Sequence, residues 1–214
     1  MVLTSTNLKQ ELLTKIDSAS SSVQAIAETP VTDIKISPSL AQEIENSVVA
    51  LEAVNPNYRP LLYNPLLLNG AWQLLYSTAR EIRNLASLPL GLKVGRVYQV
   101  IDVSQQLFFN QAFVRHPLGL ISGYVKVTAT FEPVTNEQNL PDKRLNVYFK
   151  ERYLSVSNIL GISTPFLDPA RVVAARSPVG RIPSLDITYL DEDLRIGRGG
   201  DGSLFVLKKS EDEL

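Results

Sequence analysis

The sequence predicts a mainly β chain, an up-and-down antiparallel barrel of about eight strands preceded by a helical segment. Three observations predict it. From residue 65 onward, short runs of alternating apolar and polar residues recur, joined mostly by short turns. Apolar residues at four-residue spacing are confined to the first part of the chain. The charge divides at the same place: residues 1–64 hold 4 Lys/Arg against 7 Asp/Glu, and residues 65–214 hold 17 against 15. The chain therefore divides into a helical segment (1–64) packing on a barrel (65–210) and an acidic tail (211–214).

In the first segment, Leu8, Leu12 and Ile16 form a helical stripe with Thr6 and Asn7 as N-cap candidates. Ser18 to Ser22 and Thr29-Pro30 read as loop. Ser37-Pro38 reads as an N-cap followed by proline at the first helical position. Leu40, Ile44, Val48 and Leu51 then make a second stripe, ending before Asn55-Pro56. Two short amphipathic helices cannot bury their stripes alone, so they should pack on the barrel.

The strands come next. Ala71 to Ser77 is the first, with Trp72, Leu74 and Tyr76 on one face. Arg80 to Leu92 reads as a helical turn or lid. Val97 to Val103 and Gln106 to Val114 are strands joined by a tight turn at Ser104-Gln105. Tyr124 to Glu132 alternates cleanly, with Val125, Val127, Ala129 and Phe131 on one face. Arg144 to Val156 turns Val147 and Phe149 inward. Leu185 to Tyr189 alternates again. Leu194 to Arg198 and Leu204 to Lys208 form a hairpin around Gly199-Gly200-Asp201-Gly202, which supplies positive φ. The connection from Ser157 to Pro183 is long, carries Pro165, Pro169, Pro178 and Pro183, and spaces Arg171, Arg176 and Arg181 five apart. Long connections in compact domains are often functional.

Gly70-x-Trp72, with the chain's single Trp, matches the way lipocalin-like barrels plug one end, with an arginine from a late strand covering the indole. Arg198 shares strand parity with Leu194 and Ile196, which makes it the candidate partner of Trp72. Such stacking contributes roughly 0.5–2 kcal/mol. The bland alternative is a solvated arginine at a hairpin end. In the barrel reading, Tyr76, Phe109, Phe113, Phe131, Phe149 and Tyr189 are the candidates to line a hydrophobic cavity, or simply to fill a core. Phe166 and Leu167, with Arg171, are candidates for membrane contact, against a loop folded over the barrel mouth.

Composition narrows the chemistry. With no cysteine and one histidine, His116, the chain has no disulfide, thiolate site or multi-histidine metal site. A net charge of −1 makes nucleic acid a poor partner. No apolar run reaches the ~18–20 residues that span a bilayer. The glycine-rich Gly197 to Ser203 lacks a phosphate loop's Gly-Lys ending and leads into a strand, not a helix. Asp191-Glu192-Asp193 lacks the ligand spacing of a calcium loop. No Gly-x-Ser-x-Gly elbow is present. Catalytic residues, metal and cofactor are all expected to be absent.

The residues also carry a resemblance. Leu51-Glu52 with Asn55-Pro56, Leu68 to Ser77, Tyr98 to Asp102, and above all Leu185 to Ile196 with Arg198-Gly199 and Gly202 to Leu207, resemble the plastid lipid-associated protein (fibrillin) family in a compact form. No transit peptide is apparent, which favours a cyanobacterial member. The resemblance implies a non-enzymatic lipocalin-like barrel. It would associate peripherally with the cytoplasmic face of thylakoid membranes or with lipid bodies. There it would bind hydrophobic molecules, such as carotenoids or quinones, in photoprotection and stress tolerance. Two other functions remain open: a filled barrel that coats lipid bodies or recruits an isoprenoid-metabolism enzyme, and a bilin lyase-like lipocalin.

Overall fold

The computed structural model describes residues 5–23, 29–85, 88, 91–175 and 180–212, without the side chains of residues 22 and 23. Arg176, Pro178, part of the 80–92 lid stretch and the last two residues of the tail lie outside these.

Eight strands close into a ring. In chain order they are β2 (Gly70–Ser77), β3 (Lys93–Asp102), β4 (Leu107–Arg115), β5 (Ile121–Thr135), β6 (Pro141–Ile159), β9 (Ser184–Leu190), β10 (Leu194–Gly199) and β11 (Leu204–Ser210). Each pairs antiparallel with the next, and β11 returns to β2. This is the predicted up-and-down barrel, and closure removes the free edges of its sheet. Three short strands are added. β1 (Val31–Thr32) lies parallel to the end of β2, and β7 (Ile162–Ser163) and β8 (Arg171–Ala174) fold back on β6. The long proline-rich connection is therefore partly strand. In the β10–β11 turn, Gly202 is the glycine that adopts positive φ, at +85°.

Helix α1 (Ser5–Val23) runs through the stretch expected to be loop at Ser18 to Ser22. The reason is Ala19, fully buried, which extends the Leu12–Ile16 stripe by one more step. Helix α2 (Pro38–Glu52) starts as predicted: the Leu40 N–H donates to Ser37 Oγ at 3.2 Å. Helix α3 (Pro60–Tyr63) and a 3₁₀ turn at Pro65–Leu68 lead into β2, and α4 (Arg80–Asn84) comes after it.

Two hydrophobic cores result, one on each side of the sheet. The outer one packs Leu12 and Ile16 of α1 and Ile44, Val48 and Leu51 of α2 against Leu194, Ile196, Leu204 and Val206. The inner one fills the barrel around Trp72, Leu74, Phe131, Ile187 and Leu207. The strands β2, β9, β10 and β11 are therefore covered on both faces.

Candidate ligand-binding site

At one end of the barrel, its floor, Trp72 lies above the 3₁₀ turn that leads into β2. Trp72 is fully buried there, and its indole N–H donates to the Leu68 carbonyl at 2.8 Å, tying it to the 3₁₀ turn beneath. Two cations flank the ring. The Arg195 guanidinium carbon lies 5.1 Å from the ring centroid and Lys209 Nζ 4.4 Å from it. Lys209 also donates to the Leu67 and Asn69 carbonyls, as a cation does at a helical C-terminus. Arg195 Nη2 donates to Gln99 Oε1 at 2.5 Å, and its buried Nη1 has no partner among the described residues. Burial pushes the Arg195 guanidinium down to about 9. Burial, then the charge of Arg195, lowers Lys209.

The arginine on Trp72 is thus Arg195, and the pairing expected of Arg198 does not form. Arg198 projects to the opposite face of β10 and pairs with Glu52 and Glu45 of α2, each at 2.7 Å. The expected parity is right, in that Arg198 does share a face with Leu194 and Ile196. That face meets the helices.

Two β-bulges move two of the predicted cavity residues. Tyr76 pairs with Val206 and Leu74 with Leu207, leaving Leu75 as the extra residue. Tyr189 pairs with Ile196 and Ile187 with Gly197, leaving Thr188 extra. Each bulge reverses the facing of the residues beyond it. Tyr76 and Tyr189 therefore sit in the outer core beneath the helices, and Tyr189 Oη shares a 3.1 Å hydrogen bond with Ser5 Oγ of α1. Burial pushes the Tyr76 hydroxyl up to about 12. Phe109 and Phe113 lie on the outer face of β4. Phe109 lies beneath Lys126 Nζ at 4.0 Å, and Phe113 meets Tyr98 and Tyr124. The β3–β4 register leaves Phe108, Asn110 and Ala112 facing inward instead.

Phe131 and Phe149 do face the interior: Phe131 pairs with Val147 and Phe149 with Ala129 on the inner face. They lie at different depths on one wall: Phe131 is buried and Phe149 half-buried. On the β2, β9 and β11 side, the inward Leu74, Ile187 and Leu207 are buried. On the β3–β6 side, the inward Val97, Ile101, Ala112, Ala129 and Phe131 are buried as well, while Gln99, Phe108, Asn110, Val125, Val127 and Phe149 are only half-buried. Gln99 Nε2 donates to Asn110 Oδ1 at 2.9 Å, so two side-chain amides stand among apolar groups. Such a surface offers apolar contact and a few hydrogen bonds. Among the described residues, no group of three His, Asp or Glu side chains is placed to hold a metal.

One residue pair that sequence reasoning passed over holds the wall's neighbour in shape. Asn55 Nδ2 donates to the Thr188 carbonyl at 2.8 Å while its Oδ1 accepts from the Leu190 N–H at 3.2 Å. Asn57 Nδ2 donates to the Leu190 carbonyl at 2.8 Å. The two asparagines thus clamp the bulge that turns Tyr189 outward. Of the membrane-contact candidates, Phe166 is 78% exposed and Arg171 is exposed, while Leu167 is half-buried in the 3₁₀ turn Pro165–Leu167.

The PAP_fibrillin family profile matches residues 7–208. The chain is 32% identical over 206 residues to plastoglobulin-1, chloroplastic, of Pisum sativum, covering 80% of this chain and 55% of that one. It is 33% identical over 208 residues to plastid lipid-associated protein 3, chloroplastic, of Brassica campestris, with coverages of 80% and 55%. It is 31% identical over 208 residues to the chromoplast-specific carotenoid-associated protein of Cucumis sativus, with coverages of 82% and 62%. The chain thus spans little more than half the length of these relatives. No solved structure matches it.

Proposed function

The chain belongs to the PAP_fibrillin family, and from that premise we propose that it captures a hydrophobic molecule in the barrel, at a membrane or lipid-body surface. One observation carries the reading: a cluster of inward residues on β3–β6, Gln99, Phe108, Asn110, Val125, Val127 and Phe149, is only half-buried, although inward neighbours such as Val97, Ile101, Ala129 and Phe131 are buried. A barrel filled throughout by its own side chains would bury this cluster as it buries those neighbours. The half-buried cluster is apolar with amides at Gln99 and Asn110 and with the exposed Arg152 opposite Val127 beside it, which suits a long apolar molecule with a polar end group, such as a quinone or an oxygenated carotenoid. Burying apolar ligand surface would contribute about 25 cal/mol per Å² before ordering costs. The relatives' names, plastid lipid-associated and carotenoid-associated, support the ligand class. The role is holding rather than converting, in the service of photoprotection at thylakoid or lipid-body surfaces.

Mass spectrometry of organic extracts from the protein purified from its native source tests this. A stoichiometric isoprenoid or lipid is expected. An extract empty of apolar molecules, together with no uptake of added carotenoid or quinone, would sink it.

A further inference from the structure

The two ends of the barrel differ in chemistry. The Trp72 floor lies where Gly70 faces Ile101 and Asp102 faces Leu107. At the other end, Lys93 faces Arg115, Arg115 faces Ser122 and Ile121 faces Ile159. There β5 and β6 run on past the rest of the ring into a tip made of three connections. The β4–β5 turn presents Leu118 and Leu120, the β6–β7 turn presents Leu160 and Ile162, and the adjoining 3₁₀ turn presents Phe166. Leu118, Leu160, Ile162 and Phe166 are between 69% and 78% exposed. The connections are tied together: the Leu160 N–H donates to the Leu120 carbonyl at 2.8 Å, and the Thr164 N–H to the Ser157 carbonyl at 3.0 Å.

The charge pattern of this tip is what gives it a partner. Residues 116–125 and 153–167 contain no Asp, Glu, Lys or Arg. The first charges met on leaving these stretches are Arg115, Lys126, Arg152 and Asp168, with Arg171 next. The one carboxylate among them already accepts from the Tyr124 hydroxyl. An uncharged, apolar, backbone-braced tip with Arg115 and its cross-strand partner Lys93 at its base fits the interface of an anionic lipid layer: side chains enter the acyl boundary while these cations meet the headgroups.

We infer that the tip formed by Leu118, Leu120, Leu160, Ile162 and Phe166 docks the protein on an anionic lipid surface. This deepens the proposed function and rests on it for its purpose. Docking by this end sets the barrel mouth, not the Trp72 floor, against the lipid, so an apolar molecule can pass between the two without crossing water.

The test is flotation of the full chain with vesicles of phosphatidylcholine, alone or with a minority of phosphatidylglycerol. The wild type should float with the mixed vesicles, and less with the neutral ones. Leu160→Asp/Ile162→Asp and, separately, Phe166→Asp should each lower the bound fraction about tenfold or more, since each removes at least one apolar side chain that docking would bury. Leu66→Asp, at a comparably exposed leucine on the turn under the floor, should float as wild type. Melting curves confirm that each variant folds. The inference is overturned if wild type does not float, or if both tip variants float unchanged. It is also overturned if the tip variants turn a wild-type dimer into a monomer without changing flotation, because the tip would then serve a second copy. Ligand content is measured on the same preparations. Flotation lost with ligand retained supports the docking surface, and flotation retained by a protein that captures no ligand removes only the proposed function.

Discussion

The Arg195 guanidinium lies over the indole of Trp72, 5.1 Å from the ring centroid, in the buried floor of the barrel. Among the described residues it has no carboxylate partner, and Gln99 takes one of its N–H groups. The stack and that amide bond are what offset the cost of burying a cation.

Trp72→Ala should therefore cost about 3–5 kcal/mol, because it opens a void and strips the surface beneath two cations. Arg195→Lys should cost about 1–2 kcal/mol, since an ammonium keeps the charge but loses the planar stack and the reach to Gln99. Urea unfolding checks both, by circular dichroism for the first. For the second, the fluorescence of Trp72 suffices, because it is the chain's single Trp.

The inner wall offers a test that leaves the floor alone. Val127 is half-buried, faces inward and pairs with Asn110 on one side and Arg152 on the other. Val127→Trp should fill that space and lower uptake of an added carotenoid or quinone about tenfold or more, while the melting temperature moves by only a few degrees. Unchanged uptake by a folded variant would place the ligand elsewhere.

Asn55 should be intolerant of a one-atom change. Asn55→Asp keeps the acceptor for the Leu190 N–H but sets a carboxylate oxygen against the Thr188 carbonyl. The expected loss is about 1–3 kcal/mol, read by chemical denaturation at neutral pH. The loss should shrink in acid, where the carboxyl regains a proton to donate.

Helix α1 should loosen in acid. Lys9 pairs with Asp191 at 2.8 Å and also with Asp193. Burial works against the Asp191 carboxylate, yet the hydrogen bond from Lys9, with those from its other neighbours, holds it down at about 2, from an ordinary 3.8. A carboxyl depressed by folding stabilises the fold fully above its unfolded value and less as pH falls. The contribution should be lost between about pH 4 and pH 2. Melting temperature measured across that window should fall more steeply for wild type than for Asp191→Asn.

The barrel is legible in the sequence because its turns and alternation are local signals. Tyr124 to Glu132 alternates, and Ser104-Gln105 and Gly199 to Gly202 punctuate. Facing is less legible. Leu75 and Thr188 look like ordinary strand residues, and nothing local marks them as the extra residue of a bulge, so strict alternation puts Tyr76 and Tyr189 on the wrong side. Phe109 and Phe113 stand next to Phe108, Ala112 and Val114, and both faces of β4 carry apolar residues. Alternation also sets Arg198 on the indole, because Leu194 and Ile196 look like an inward face. One signal points the other way: the stripe from Leu40 to Leu51 needs an apolar surface to cover, and Leu194 with Ile196 supplies it. The exposed tip is legible only at Phe166, because Leu118 and Leu120 lie 40 or more residues away in sequence and meet the rest through the β5–β6 pairing.

Where both faces of β10 are covered by apolar layers, hydrophobicity cannot tell a correct strand pairing from one slipped by a single residue. A slip would exchange one apolar set for another. The two arginines break that degeneracy. Slipped by one, β10 would carry Arg195 out toward the helices, away from Trp72 and Gln99, and Arg198 into the barrel, away from Glu45 and Glu52. Two misplaced cations would be stranded at once. The charges on this strand thus act as a checksum on its alignment, a role distinct from whatever stability each contributes by itself.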